Sequence, residues 1–220
     1  MTHARLSAPA LAAAITLALS SSALAGDPTA TYRVTFESTW TAQTHPKKYP
    51  GGAHFSPLIG AVHDPATRFW RSKKKASKGM EVMAEKGGTF LLTQEINAAI
   101  QDGEALSVLS GSGIGSPAST SIEFTATDAH SAVTLVSMIA PSPDWFVGVS
   151  ALPLKDEGGW IDTLEVPLFA YDAGTDDGKS FTSKNDNTKP KKKIKRAKKG
   201  PLKKVQDVPF GRFVFERIGG

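Results

Sequence analysis

The spacing of apolar and polar side chains predicts a chain built mainly from β-strands. From Tyr32 to Glu37 apolar and polar residues alternate, as expected of a strand with one buried face and one solvent-exposed face. Residues 132–140 are mostly apolar and rich in β-branched side chains, as expected of a core strand. The predicted strands cover residues 32–40, 121–127, 132–140, 146–154, 164–171 and 208–218. We expect a mainly β fold with antiparallel strands.

Two stretches have the spacing of short helices instead. Residues 76–86 are stopped by Gly87-Gly88, and residues 89–103 begin at Thr89, a residue type that caps helices. The apolar residues expected to face the protein are Met80, Val82, Met83, Ala84, Phe90, Leu91, Ile96 and Ile100. We expect these helices to cover a sheet edge rather than to form a binding groove.

Residues 1–25 have the features of an export signal. Arg5 precedes an apolar core at residues 11–19, and the stretch ends in Ala23-Leu24-Ala25, a small-x-small cleavage site. Cleavage would leave residues 26–220 as a single domain with no transmembrane segment, since no run reaches the roughly 20 apolar residues that span a bilayer. The chain has no cysteine, which favours a bacterial secreted or periplasmic protein. The expected location is the periplasm or the cell exterior.

Acidic residues follow or precede predicted strands at two places. Asp144 lies in the turn before the strand at 146–154, and Asp172 and Asp176 follow the strand at 164–171. If those two strands form an antiparallel pair around the turn at 155–159, the acidic turns converge. Three close carboxylates repel one another unless a proton or cation neutralises them, and hard oxygen ligands suit calcium. The alternative is that each Asp simply hydrogen-bonds its own turn.

Five motifs stand out along the chain: Tyr32-Arg33-Val34-Thr35-Phe36 with Trp40, His45-Pro46-Lys47-Lys48-Tyr49-Pro50, His54-Phe55-Ser56-Pro57-Leu58-Ile59-Gly60, Pro141-Ser142-Pro143-Asp144-Trp145-Phe146-Val147-Gly148-Val149 and Tyr171-Asp172-Ala173-Gly174-Thr175-Asp176. In these motifs the chain resembles the spondin N-terminal domain family, found in F-spondin and mindin and as a single module in bacterial exported proteins. The resemblance runs from about residue 32 to about residue 190. The resemblance implies an antiparallel β-sandwich with one or two short covering helices, and one bound Ca²⁺ held by Asp144, Asp172 and Asp176.

A basic segment at residues 189–204 stands outside the resemblance. It holds 10 of the 26 Lys and Arg residues and no acid, so the rest of the mature chain is net acidic. We expect a loop that either binds an anionic surface polymer or lipopolysaccharide, or is merely solvated. The candidate contacts are Lys191, Lys192, Lys193, Lys195, Arg196, Lys198 and Lys199. No aromatic residues interleave them, so specific nucleic-acid recognition is not expected.

Signs of catalysis or of a zinc site are weak. The sequence has no Gly-x-Ser-x-Gly elbow, no cysteine nucleophile and no His-Glu-x-x-His motif. His45, His54 and His63 lack the spacing of a helical zinc motif, so packing and loop hydrogen bonds explain them better. We therefore expect a protein that is not an enzyme, with a glycan-acting hydrolase as the weakest alternative.

Two functions from different classes fit these observations. The first is an exported, calcium-dependent module for adhesion or ligand binding at the cell surface or envelope, because the resemblance is to proteins of matrix attachment. The second is a structural envelope protein whose calcium only stabilises the fold. The sequence does not identify the protein or glycan ligand.

Overall fold

The structure is a computed structural model that describes residue 1 and residues 28–220. The predicted export signal therefore falls almost wholly outside the described residues. Within them the strands are β1 (Thr29–Ser38), β2 (His54–Phe55), β3 (Leu58–His63), β4 (Ala105–Gly111), β5 (Ile114–Gly115), β6 (Ala118–Thr127), β7 (Ala132–Ala140), β8 (Trp145–Pro153), β9 (Lys155–Asp156), β10 (Gly159–Trp160), β11 (Thr163–Leu168), β12 (Tyr171–Asp172), β13 (Lys195–Arg196) and β14 (Gly211–Gly219). The helices are α1 (Lys78–Lys86) and α2 (Phe90–Gln101), with a 3₁₀ turn at Gly200–Lys204.

Two antiparallel sheets form a β-sandwich, as expected. The first has the strand order β11-β14-β1-β6, so the last long strand lies beside the first. The second has the order β13-β12-β8-β7, and β7 also pairs with β3, which in turn pairs with β4. The short strands β2 and β5 extend this sheet at the end of β7.

The main core lies between the sheets. Tyr32, Phe36, Phe213 and Phe215 point inward from β1 and β14 because their strands alternate, and each is at most 1% exposed. On the opposite sheet β7 is buried at all nine positions. It is buried on both faces because a second core, beneath α1 and α2, covers its other side.

The two helices have nearly the predicted bounds and cover the second sheet. Gly87 ends α1 in the left-handed conformation at φ 66°, and its amide donates to the carbonyl of Met83. The predicted face of α2 was partly wrong. Phe90 is 70% exposed and Leu92 is buried instead, and Thr89 stands at the cap position without a side-chain hydrogen bond.

The predicted pairing of residues 146–154 with residues 164–171 was wrong. β8 belongs to the second sheet, whereas β11 pairs with β14 in the first sheet. The turn between them is a small hairpin of its own, β9 with β10. The chain therefore crosses from one sheet to the other there, because β8 and β11 each bury one face in the shared core.

No helix within residues 28–220 is long and apolar enough to cross a lipid bilayer.

Candidate functional site

Asp144 is positioned by the turn between β7 and β8. Ser142 shapes that turn, since its hydroxyl accepts from the amide of Trp145 at 3.0 Å and donates to the same residue's carbonyl. Trp145 is 3% exposed and its ring packs against Phe181, so it anchors the turn in the core. Asp144 is thereby held inside the protein, with no measurable exposure.

The second acidic turn is brought to Asp144 by a short strand pair. In the register of β12 with β8, Asp172 lies opposite Trp145, and the amide of Ala173 donates to the carbonyl of Asp144 at 3.1 Å. The amides of Thr175 and Asp176 both donate to Oδ2 of Asp144, at 2.8 and 3.1 Å. The two acidic turns therefore converge as expected, although through β12 and not through a hairpin of β8 with β11.

Asp172 and Asp176 each organise their own turn. Oδ1 of Asp172 accepts from the amide of Gly174 at 2.9 Å, and Oδ1 of Asp176 accepts from the amide of Gly178 at 2.7 Å. Oδ2 of Asp176 also accepts from the amide of Asp186. The turn-forming interpretation is thus correct for these two residues, and it is compatible with ligation because each carboxylate retains further lone pairs.

Gly174 is needed for the close approach of the basic segment. Its φ is +76°, and a Cβ there would lie 2.6 Å from the carbonyl oxygen of Lys192. The amide of Lys192 donates to the carbonyl of Gly174 at 2.8 Å. The basic segment therefore lies directly over the acidic turn. Local sequence patterns did not predict this packing, although the two segments carry opposite charges that indicate it.

Asp144 has the most perturbed electrostatics of the three. Its burial, with the nearby charges of Asp172 and Asp176, raises its pKa to about 6, against the two amide hydrogen bonds that lower it. Its second oxygen, Oδ1, is buried without a hydrogen-bond partner in the described part of the chain. A buried carboxylate oxygen with no donor is costly, and a cation relieves that cost.

The three carboxylates fit a hard cation in their chemistry, and one of them offers an unpaired oxygen. As they stand, no three Asp, Glu, His or Cys side chains among the described residues are arranged to hold a metal ion. Oδ2 of Asp172 instead lies 3.2 Å from Nζ of Lys195. A cavity of about 470 Å³ adjoins this pair and is lined by Trp145, Asp172, Asp176, Asp177, Asp186, Lys192, Lys195, Lys198 and Lys199, among others.

The predicted polyanion contacts divide into two groups. Four of them are engaged within the protein: Lys191 with Glu81 and Glu85, Lys192 with Asp177, Lys195 with Asp172, and Arg196 with the carbonyl of Gln206 and the ring of Phe169. The other three, Lys193, Lys198 and Lys199, are exposed and form no ion pair within residues 28–220. The segment is a loop, as predicted, but it is tied to the body at several points.

The histidines are separate and serve packing and loop hydrogen bonds, as the sequence favoured. His45 is buried against the ring of Phe210, with Nδ1 bonded to Thr44. His63 is buried between the carbonyl of Asp64 and the hydroxyl of Thr134. His54 is exposed and bonds the carbonyl of Gly52.

Comparison with known proteins identifies a family and several relatives. A family model described as Spondin_N matches residues 30–210. Spondin-2 of Homo sapiens is 40% identical over 174 residues, which is 73% of this chain and 50% of that protein. Spondin-1 of Rattus norvegicus is 36% identical over 176 residues, 76% of this chain and 22% of that protein. Spondin-1 of Xenopus laevis is 32% identical over 211 residues, 86% of this chain and 25% of that protein.

The chain spans half or less of the length of these relatives. The family match covers most of the chain, including both acidic turns and the strands up to β13, whereas β14 lies beyond it. On this evidence the chain belongs to the Spondin_N family.

Proposed function

We propose that this chain is an exported module that binds Ca²⁺ through Asp144, Asp172 and Asp176, and that it serves adhesion or ligand binding at a cell surface or envelope. The observation that carries the calcium proposal is the buried, unpaired Oδ1 of Asp144, beside two further carboxylates. Membership of the Spondin_N family supports the surface role.

The physical argument for a cation is the cost of leaving Asp144 charged and buried. At neutral pH a carboxylate whose pKa is about 6 is mostly ionised, and two neighbouring carboxylates add repulsion. A divalent cation removes both costs at once. Calcium accepts carboxylate, carbonyl and water oxygens in flexible numbers, which suits a site built from turns.

Lys195 supplies part of that neutralisation within the chain itself. Its ammonium group lies 3.2 Å from Asp172, and the Lys195 side chain is 45% exposed. The Asp172 side chain is only 19% exposed, and a bound cation would replace the ammonium group as its partner, so its carboxylate would not be left unpaired. Backbone carbonyls and water would complete the coordination.

A purely structural calcium is the second candidate. The observation that favours it is that the site joins two turns far apart in the chain, because Oδ2 of Asp144 accepts from Thr175 and Asp176. An ion held there would tie those turns together and stabilise the sandwich without any ligand.

Thermal unfolding tests the calcium site. Extracellular calcium is near millimolar, so a site with a dissociation constant of about 10⁻⁴ M is filled. At tenfold excess ligand, binding stabilises the fold by about 1.4 kcal/mol, which raises the Tm by roughly 3–6 °C for a domain of this size. We expect this shift in the parent, and a smaller shift in Asp144→Asn and Asp176→Asn. In chelator Asp176→Asn relieves one repulsive charge but loses one of the two amide hydrogen bonds that the Asp176 oxygens accept, so the size of the calcium-dependent Tm shift is the readout.

Asp128→Asn is the matched control. Asp128 is exposed and pairs with Lys155, and the nine-residue strand β7 separates it from the acidic turns. Its calcium shift should equal that of the parent. A parent protein whose Tm is the same in calcium and in chelator would refute the metal site.

Retention on a sedimented envelope fraction separates the two candidate functions. The comparison is made with calcium and with chelator, at a temperature where circular dichroism shows the metal-free protein folded. An adhesion role predicts retention only with calcium, whereas equal retention in both conditions indicates a structural ion.

A further inference from the structure

Two basic segments that are distant in the sequence lie side by side in the structure. The amide of Lys73 donates to the carbonyl of Ile194, and the amide of Ile194 donates to the carbonyl of Lys74, both at 2.8 Å. Lys75 and Lys193 form an antiparallel bridge pair. Residues paired in this way project their side chains to the same face, so Lys75 and Lys193 are neighbours.

We propose that Arg71, Lys73, Lys74, Lys75 and Lys193, called the cationic strip, bind a linear polysaccharide that carries sulfate or phosphate esters. The proposal rests on the proposed function, for which it names a ligand class. It requires no metal, because none of its residues belongs to the acidic turns.

The charges of the cationic strip are not neutralised within the protein. All five residues are exposed, and none forms an ion pair in the part of the chain that the structure describes. The sequence has no acid at residues 65–80 or 187–206. Like charges opposite one another on paired strands destabilise the pair. An anionic ligand would neutralise this repulsion, which no acidic side chain within these segments neutralises.

The cationic strip differs from the run of lysines that the sequence indicated. Lys191, Lys192 and Lys195 already pair with acidic side chains, and a ligand would have to break those pairs. Residues 71–75 contribute most of the strip, although they lie more than a hundred positions earlier in the sequence. The backbone bonds to Ile194 bring the two segments together.

The surroundings of the cationic strip favour a hydrophilic polymer. The large apolar side chains that stand exposed in residues 28–220 are Phe90, Leu106 and Ile218, and none lies in either basic segment. The strip therefore lacks the apolar group that would enter a membrane and the aromatic platforms that stack on bases. Lysine ammonium groups act as point charges for ester anions.

Heparin, a sulfated polysaccharide, is the probe. The strip variant combines four substitutions: Arg71→Gln, Lys74→Gln, Lys75→Gln and Lys193→Gln. Lys73 is left in place so that the strip variant and its control each lose four positive charges. We expect the variant to bind heparin about tenfold to a hundredfold more weakly at about 0.1 M salt, the loss that four exposed ion pairs produce together.

The matched control removes the same charge from exposed lysines elsewhere: Lys47→Gln, Lys86→Gln, Lys184→Gln and Lys203→Gln. We expect it to elute from heparin close to the parent. A double variant, Lys75→Gln with Lys193→Gln, gives a second test at the bridge pair and should show an intermediate loss. Circular dichroism checks that every variant is folded.

Three results would overturn the proposal: a parent that does not bind heparin, equal losses in the strip and control variants, or tighter strip-dependent binding to phosphatidylglycerol vesicles or to DNA. Heparin binding should be the same in calcium and in chelator, and the strip variant should keep its calcium-dependent Tm shift. Failure of the calcium proposal would therefore leave this result intact, and the reverse also holds.

Discussion

Two buried ionisable side chains, His45 and Asp144, give the fold opposite responses to pH. Burial lowers the pKa of His45 to about 4, from an ordinary value of 6.5, because the charged ring would lose its hydration. Burial and neighbouring acids raise the pKa of Asp144 to about 6, from 3.8. Each pKa shift changes the free energy of unfolding by about 3 kcal/mol over the full titration of the group.

The signs of these two contributions follow from which state binds more protons. Between pH 6.5 and 4 the unfolded chain protonates His45 while the folded protein does not, so acid lowers stability. Between pH 6 and 4 the folded protein protonates Asp144 before the unfolded chain does, so acid raises stability. The two effects oppose each other, but burial also lowers the pKa of His63, so the parent should still lose stability as the pH falls through this window.

Single variants separate the two contributions. In chelator His45→Gln should gain stability relative to the parent, by about 3 kcal/mol, as the pH falls from 7 to 4. Asp144→Asn should lose a similar amount relative to the parent over the same range. Urea unfolding at several pH values measures both slopes. Variants that follow the parent curve in parallel would contradict the assignment of these groups.

The helices show how packing overrides intrinsic propensity at the scale of an element. Gly79 is the second residue of α1, and glycine is less favourable than alanine in a helix, by about 1 kcal/mol in a helix interior. A Cβ at this position would lie 2.6 Å from Cα of Leu92 and 2.7 Å from its amide nitrogen. Gly79 therefore allows α1 to approach the backbone of α2. Glu95 of α2 strengthens this contact by accepting from the Gly79 amide at 2.7 Å.

Gly79→Ala should consequently destabilise the protein, although helix propensity alone predicts the reverse. The overpacked contact costs about 1–3 kcal/mol, which lowers the Tm by roughly 3–10 °C. Gly51→Ala is the control, since a Cβ there meets nothing within 4 Å and the Tm should hardly move. A rise in the Tm of Gly79→Ala would show that the helices separate at little cost.

At the scale of the whole molecule, we predict that removal of the export signal leaves the β-sandwich complete. Residues 1–25 carry the export pattern, whereas β1 begins at Thr29 and supplies a central strand of the first sheet. Cleavage near Gly26 therefore leaves every described strand intact. We expect mass spectrometry of the exported protein to find an N-terminus near Gly26, and an exported chain that retains residues 1–25 would contradict this.

The sequence predicted elements well where the signal is local and less well where it is not. Alternation identified β1, β6 and β14, and the turn residues identified the acidic turns. It gave no signal for β3, because Leu58–His63 is buried at all six positions and so does not alternate. The sequence-based expectation that β8 pairs with β11 was wrong. It assumed a hairpin, which is the usual arrangement of strands that are adjacent in the chain.

By itself the sequence determined the strand and helix periods, the turn chemistry of Asp172 and Asp176, and the charge of the basic segment, because each depends on residues close together in the chain. The tertiary structure decided that β12 pairs with β8, that Asp144 is buried with an unpaired oxygen, and that residues 71–75 meet Lys193. These features depend on contacts between distant residues, and local patterns do not specify which distant segments meet.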